Sequence, residues 1–362
     1  MKKILQPSNT ITINNKDISH NSPVYFIAEI GSNFDNDMGR AKELIYMAKE
    51  SGADAAKFQH YTANSLVSDN GFKKLSNNKS HQSSWNKSVY ETYELASLNR
   101  DWTNILHETC ESAGLSFLTS PYSFELVDFV NQYVPAYKIG SGDITWIEII
   151  QYIASKGKPV ILATGASSFT DVCRAVDAIL AITSDIILLQ CNTNYTASSG
   201  NFSHLQLKVI SEYQKQYPGI VTGLSDHMPG HVPVLGAVAL GARVIEKHFT
   251  DSNERPGPDH AFAMTPHTWR EMVDRTRELE EAMGSTYKKI ENNELETSIL
   301  QRRSIFSKNK IEKNSIITKE DLVILRPCPN GSIEPFELNN VVNKVAQKDI
   351  PAMTSLKWAD LK

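Results

Sequence analysis

Two histidines close two successive apolar runs. Ile220 to Leu224 leads into Ser225-Asp226-His227, and Val244-Ile245 leads into Glu246-Lys247-His248. Apolar runs that stop abruptly at polar groups read as buried parallel strands whose C-terminal ends open into a site. If the two strands are neighbours, His227 and His248 face one cavity. Two neutral imidazoles there can bind a transition metal, with water or substrate in the open positions. A lone histidine is more often a hydrogen-bonded core residue. Two at matching strand ends, beside Ser225, Asp226, Glu246 and Lys247, favour a site.

Other strand ends carry the same kind of side chain. In chain order they offer Glu29, Lys57 with Gln59, Ser120, Lys138 with Ser141 and Asp143, Thr164, and Thr193 with Tyr195. Three lysines in a buried mouth (Lys57, Lys138 and Lys247) need compensating anions. The carboxylates supply some, and a phosphorylated or carboxylated substrate would supply the rest. Lys138-Ile139-Gly140-Ser141-Gly142-Asp143 sets a cation and a hydroxyl beside two glycines that let backbone N–H groups approach a phosphate. A Schiff-base lyase would also use a barrel lysine, but paired histidines argue for metal-assisted chemistry. A non-catalytic binding protein would need neither set.

The elements that must hold these groups follow a rhythm. Strands are predicted at Val24 to Ile30, Ala53 to Gln59, Leu115 to Ser120, Ala136 to Gly140, Pro159 to Ala163, Ile186 to Gln190, Ile220 to Leu224 and Arg243 to His248. Each is followed by a helical pattern, such as Ala41, Leu44, Ile45 and Ala48 at i, i+3, i+4, i+7. Ser168 with Asp171 reads as a capping box. Thr265-Pro266 starts a long helix with Met272, Thr276, Leu279 and Met283 as its buried face, and Gly284 ends it. Eight strand–helix pairs make a (β/α)8 barrel, with its site at the C-terminal strand ends. A doubly wound open sheet is the alternative, but it would concentrate polar groups at one switch point.

Four segments stand outside the rhythm. Ile11-Thr12-Ile13 suggests a small hairpin closing one end of the barrel. Residues 60–98 form a polar insertion holding Asn77, Asn78, Lys79, Ser80, His81 and Trp85, either a functional lid or a disordered excursion. Residues 285–301 are charged and read as a linker after a barrel domain at 1–284. The tail, 302–362, repeats itself: Lys310 to Leu322 resembles Asp349 to Leu361, with Ile311 matching Ile350, Ile317 matching Leu356, and two Asp-Leu pairs in register. So short a tail makes a marginal core, and it is expected to pack on something else.

Composition narrows the class. The 362 residues carry a net charge of −4 and 41% hydrophobic residues, so no basic field for nucleic acid or anionic membrane is expected. No apolar run is long enough for a membrane span, and the first residues lack the apolar core of a signal peptide. Cys110, Cys173, Cys191 and Cys328 show no CxxC spacing, which points to a reduced cytoplasmic compartment without a zinc–thiolate site.

With these motifs in order, the chain resembles the sialic acid synthase family, the phosphoenolpyruvate-dependent N-acetylneuraminate synthases and their nonulosonate relatives. The resemblance is carried by Ala28-Glu29-Ile30-Gly31, Gly52 to Gln59, Lys138 to Gly142, Gly223 to His227, Glu246 to Phe249, Gly257-Pro258-Asp259-His260 and Arg326-Pro327. It implies a (β/α)8 barrel joined to a small antifreeze-protein-like domain. It implies a divalent metal on His227 and His248, usually Mn2+, with Mg2+ or Co2+ as alternatives. Phosphoenolpyruvate would lie near Lys57, Ser120, Lys138, Ser141 and Ser225. An N-acetylated amino sugar would lie near Glu29, Tyr195 and Asp259, with Gln59 and Thr193 also binding substrate, and Glu29, Lys57, Asp143, His227 and His248 would be the catalytic residues. Arg326 would reach the sugar's N-acyl group from the partner chain of a domain-exchanged homodimer. The sugar would be N-acetylmannosamine, giving N-acetylneuraminate, or a 2,4-diacetamido-trideoxy hexose, giving a legionaminate- or pseudaminate-type product. The chain departs from the family pattern at Phe34, where many relatives have His, and at Asp143, Ala163 and Thr193.

Overall fold

The computed structural model describes residues 4–75, 82, 85, 87–196 and 198–362. It divides into two units, Met1–Gly284 and Ser285–Lys362.

The first unit opens with an antiparallel hairpin, β1 (Thr10–Ile13) and β2 (Lys16–Ser19). Eight parallel strands then close into a barrel: β3 (Tyr25–Glu29), β4 (Ala55–His60), β5 (Ser116–Pro121), β6 (Tyr137–Ile139), β7 (Val160–Ala163), β8 (Ile186–Cys191), β9 (Val221–Asp226) and β10 (Val244–His248). They pair in chain order, and β10 returns to β3. The expected (β/α)8 barrel is therefore present, and the open-sheet alternative is excluded because no edge strand remains.

The helices are α1 (Met38–Glu50), α2 (Ala63–Leu66), α3 (Asp69–Lys74), α4 (Val89–Ala96), α5 (Thr103–Ala113), α6 (Phe124–Val130), α7 (Ile147–Ala154), α8 (Phe169–Leu180), α9 (Val209–Gln216), α10 (Val232–Ala239) and α11 (Pro266–Met283). Local chemistry accounts for their ends. Asp37 accepts from the Arg40 N–H to start α1, and its buried stripe is Ala41, Leu44, Ile45 and Ala48. Ser168 and Asp171 cap each other's backbone at α8. The face of α11 differs from expectation. Trp269, Met272, Val273 and Thr276 are buried, while Met283 is 50% exposed. The bulky Trp269, packed edge-on to Phe249, draws the stripe towards the helix N-terminus.

The hairpin fills the end of the barrel opposite the strand termini. Ile11, Ile13 and Ile18 share one apolar cluster with inward residues of seven of the eight strands, among them Ile27, Leu118, Ile161, Leu189 and Val244, and with Ala136 just before β6. The insertion after β4 carries α2, α3 and α4. An aromatic chain ties α4 back to the barrel: Trp85 to Tyr93 at 6.1 Å, Tyr93 to Tyr61 at 5.5 Å and Tyr61 to Tyr122 at 5.9 Å between ring centroids. Asn77, Asn78, Lys79, Ser80 and His81 lie outside the described residues.

The second unit has its own core of Ile305, Ile311, Ile317, Leu322, Ile333, Val341, Ala346, Ile350, Leu356 and Leu361. It contains α12 (Leu295–Gln301), whose Ile299 carbonyl accepts the Cys328 N–H. Strands β11 (Ser304–Ser307) and β12 (Leu322–Leu325) pair antiparallel, and α13 (Leu338–Val341) follows. The internal echo is structural. Ile311 and Ile350 pair with each other, and each half ends in a single 3-10 turn closed by Asp321 or Asp360 before a core leucine.

Candidate active site

Side chains alternate across a strand, so every second residue at a strand end faces the barrel axis. On β10 this turns Glu246 and His248 inward and Lys247 outward. On β9 it turns Ser225 inward and Asp226 outward. The cavity at the C-terminal end of the barrel is lined by Glu29, Lys57, Gln59, Ser120, Lys138, Ser141, Tyr195, Ser225, His227 and His248, together with Tyr122, Gly140, Ala163, Cys191 and Glu246.

Its floor is an alternating chain of charge. Lys57 is paired with Glu29 and lies 4.0 Å from Glu246, which pairs with Lys138 at 3.1 Å. Gln59 donates to Glu29 at 2.7 Å. Burial would raise Glu246, but Lys138 and Lys57 outweigh it and hold the carboxyl at about 2. Burial pushes Glu29 up, opposed by Lys57 and reinforced by Glu246. Burial works against the charge on Lys57, yet Glu246 and Glu29 keep its pKa raised. Both members of the Lys57–Glu29 pair thus shift upward. Glu246, firmly ionised, keeps Lys57 charged, so Glu29 is the member that takes up a proton. The Ser120 hydroxyl, one Glu246 oxygen and His248 Nδ1 are buried without a hydrogen-bond partner. Buried polar atoms left in this state mark where a ligand's polar groups belong.

The two histidines come from paired strands, with ring centroids 5.4 Å apart. Burial lowers His227 to about 4, with His248 adding, and lowers His248 to about 3, with Lys57 adding. Both are neutral near pH 7. His227 Nδ1 lies 2.9 Å from the Asn192 carbonyl, which fixes the proton there and leaves Nε2 as a lone pair. A neutral imidazole with a free nitrogen beside another with an orphaned nitrogen fits a divalent transition metal. Among the described residues no group of three or more His, Cys, Asp or Glu could hold a metal, so the protein would supply two ligands and leave the remaining positions open. Tyr195 packs on His227 at 4.3 Å, and Phe262 on His248 at 4.8 Å.

Several expected residues lie elsewhere. Lys247 is not in the cavity. It turns outward to Asp226, so two lysines face the site rather than three. Asp143 sits in a 3-10 turn beyond β6 and does not line the cavity, and burial pushes it up to about 6 against Lys138. Thr193 packs where a side chain on Gly165 would stand, 2.4 Å from its threonine methyl. Thr164 bonds the Leu189 carbonyl and Tyr213, away from the mouth. Asp259 stands at the rim, 3.7 Å from His248 and held by Ser32 at 3.0 Å. Gly31 lets that loop close in: its φ is +54°, and a Cβ there would meet Asp259 at 3.0 Å and Glu29 at 3.1 Å. Arg326 is exposed beyond β12 in the second unit. Phe34 is fully buried against Phe58 and Trp102.

Tyr122, Cys191 and Phe262 are not among the candidate site residues, and Glu246, named beside the histidines, has no role assigned to it there. Glu246 was findable, because it stands two residues before His248 and must share its face. Nothing in the local pattern marks Phe262 or Tyr122. Their place follows from loop paths.

A model of the NeuB family matches residues 44–288, and one of the SAF domain matches residues 302–362. N,N'-diacetyllegionaminic acid synthase of Legionella pneumophila is 36% identical over 341 residues, spanning 92% of this chain and 93% of that protein. N-acetylneuraminate-9-phosphate synthase of Homo sapiens is 32% identical over 323 residues, spanning 89% and 88%. The crystal structure of N-acetylneuraminic acid synthetase from Leptospira borgpetersenii, in complex with citrate, superposes with a TM-score of 0.71 at 27% identity, covering 81% of this chain and 96% of that one.

Proposed function

The chain belongs to the NeuB family and carries a SAF domain, and from that premise we propose that it condenses phosphoenolpyruvate with an N-acetylated amino sugar. The product is a sialic acid or related nonulosonate, and inorganic phosphate is released. The observation that carries the reading is the charge pattern of the cavity. Two lysines and an orphaned serine hydroxyl form an anion site beside a pair of neutral histidines.

In this reading Lys57 and Lys138 hold the phosphate and carboxylate of phosphoenolpyruvate, with hydroxyls from Ser120, Ser141 and Ser225. Glu246 keeps the two ammonium groups apart before substrate arrives. Carbon 3 of phosphoenolpyruvate forms a bond to the aldehyde carbon of the open-chain sugar, and the aldehyde oxygen takes a proton. Water adds at carbon 2 and loses a proton. The bond from carbon 2 to the bridging oxygen then breaks, leaving a ketone and inorganic phosphate. Glu29, with its raised affinity for a proton and its bond to Gln59, is the group that exchanges a proton with the sugar oxygen. His227 and His248 would hold a divalent metal, Mn2+ first among candidates, which when bound polarises an oxygen and orients water. Tyr195, Asp259 and Phe262 border the sugar side. The second unit contributes Arg326 to a partner chain's sugar in a domain-exchanged homodimer.

A 2,4-diacetamido-trideoxy hexose is the alternative to N-acetylmannosamine, and the relatives carry both N,N'-diacetyllegionaminic acid synthase and N-acetylneuraminate-9-phosphate synthase names. Phosphate release measured against a panel of amino sugars decides between them. Release that needs phosphoenolpyruvate, one of these sugars and a divalent metal is expected. Covalent trapping of pyruvate by borohydride, or no phosphate release with any sugar, would overturn the proposal.

A further inference from the structure

The strand ladder between β9 and β10 stops one residue short of the histidines. Its last pair is Lys247 with Asp226. His248 is still held from the other side, where it pairs with Glu29 on β3. His227 lies beyond its strand, so no backbone ladder sets its distance from His248.

A side-chain bridge does so instead. Lys247 Nζ lies 2.5 Å from Asp226 Oδ2 and donates to the Met228 carbonyl at 2.6 Å. Asp226 Oδ1 accepts the Met228 N–H at 3.0 Å. The residues on both sides of His227 are thereby tied to the residue preceding His248. The pair is sealed from solvent, at 1% and 0% side-chain exposure, and lies outside the cavity. It therefore acts only through its neighbours. A buried ion pair adds little stability over apolar side chains of similar size, so its worth lies in geometry.

We infer that Lys247 and Asp226 are positioning residues, a clamp that fixes the spacing of His227 and His248 and so sets the affinity for a divalent cation between them. The inference rests on the reading of these histidines as metal ligands. Its test uses the full-length chain with Mn2+ as the probe. The double variant Asp226→Leu, Lys247→Met removes the hydrogen bonds while keeping an apolar fill. It is expected to melt near the wild-type temperature but to bind Mn2+ at least tenfold more weakly by calorimetry. Its kcat should fall while the KM for phosphoenolpyruvate is unchanged. Wild-type Mn2+ affinity in a folded double variant overturns the clamp. Wild-type protein that binds no Mn2+ overturns the metal reading and the clamp with it. Should the double variant not fold, Lys247→Arg keeps the charge but changes the reach and fork of the donor. A tenfold loss of Mn2+ affinity supports the clamp, and an unchanged affinity overturns it.

Discussion

Glutamine at position 246 would leave two buried ammonium groups facing each other across the cavity without the charge that separates them. Glu246 lies 3.1 Å from Lys138 and 4.0 Å from Lys57. At the effective dielectric suited to such sites these contacts amount to roughly 5 and 4 kcal/mol of attraction. Most of that is consumed by desolvation, and removing one member of a buried pair costs about 3–5 kcal/mol. For a unit of this size each kcal/mol moves the melting temperature by about 2 °C, so Glu246→Gln is expected to melt roughly 6–10 °C lower. The loss should depend on ligand. A phosphate dianion seated on Lys57 and Lys138 supplies the missing negative charge, so inorganic phosphate should raise the melting temperature of the variant more than that of the wild type. It should also bind the variant at least as tightly. The assay is a thermal melt of both proteins over a phosphate titration, metal-free. The wild-type advantage should also fade in acid, because a carboxyl held below its ordinary pKa stabilises the fold above the unfolded value and loses that contribution as pH falls through the folded one. Equal melting temperatures, or equal stabilisation of the two proteins by phosphate, would refute the assignment of Glu246 as the counter-charge of an anion site.

Lys138→Ala should raise the KM for phosphoenolpyruvate roughly tenfold to a hundredfold, the worth of a charge-assisted bond, while the KM for the sugar stays put. Equal losses for both substrates count against it. His60, buried between Thr119 at 2.7 Å and Thr103 at 2.8 Å, is lowered to about 4 by burial with Arg100 adding. Its unfolded form protonates first, so the stability it contributes is present above pH 6.5 and is lost as pH falls towards 4, about 3 kcal/mol in all. Denaturant melts of wild type and His60→Gln across that range should differ in slope by about one proton, and parallel curves would refute it. Arg326→Ala and His248→Ala should each be inactive alone. Co-refolded heterodimers should regain about one working site in two, whereas heterodimers as inactive as the single variants would place Arg326 in cis.

The barrel was legible because each strand end carries its own abrupt change from apolar to polar, and because eight such changes recur with helical spacing between them. Alternation along β10 also encodes the inward turn of Glu246 and the outward turn of Lys247. Counting lysines by strand end, without that period of two, placed Lys247 in the mouth. The tail's pseudo-repeat was visible as matched isoleucines and Asp-Leu pairs. What the pattern could not carry is loop geometry. Asp143, one residue past a glycine pair, ends a 3-10 turn whose first residue, Ser141, lines the cavity while Asp143 does not. Phe262 reaches the histidines through the path of residues 250–264, which is fixed by bonds within the loop, Asn253 to the His260 and Ala263 carbonyls, and by one distant in sequence, His260 to Asp35. The insertion between β4 and α5 read as polar and irregular, yet Tyr93 on α4 packs on Tyr61 and so reaches Tyr122 in the cavity wall.

The hairpin that stoppers the barrel has a kinetic meaning. With Ile11, Ile13 and Ile18 filling one end, ligands of the proposed reaction would share the mouth at the C-terminal strand ends and leave in the reverse order of entry. Ser120, Lys57 and Lys138 lie deeper, at 2–3% exposure, than His248 at 8%. On the proposed reading, the substrate seated on the lysines is expected to arrive before its co-substrate, and phosphate to depart after the sugar product. Steady-state kinetics should be ordered, with inorganic phosphate competing against phosphoenolpyruvate but not against the sugar. A random-order pattern would mean that a second passage opens during turnover.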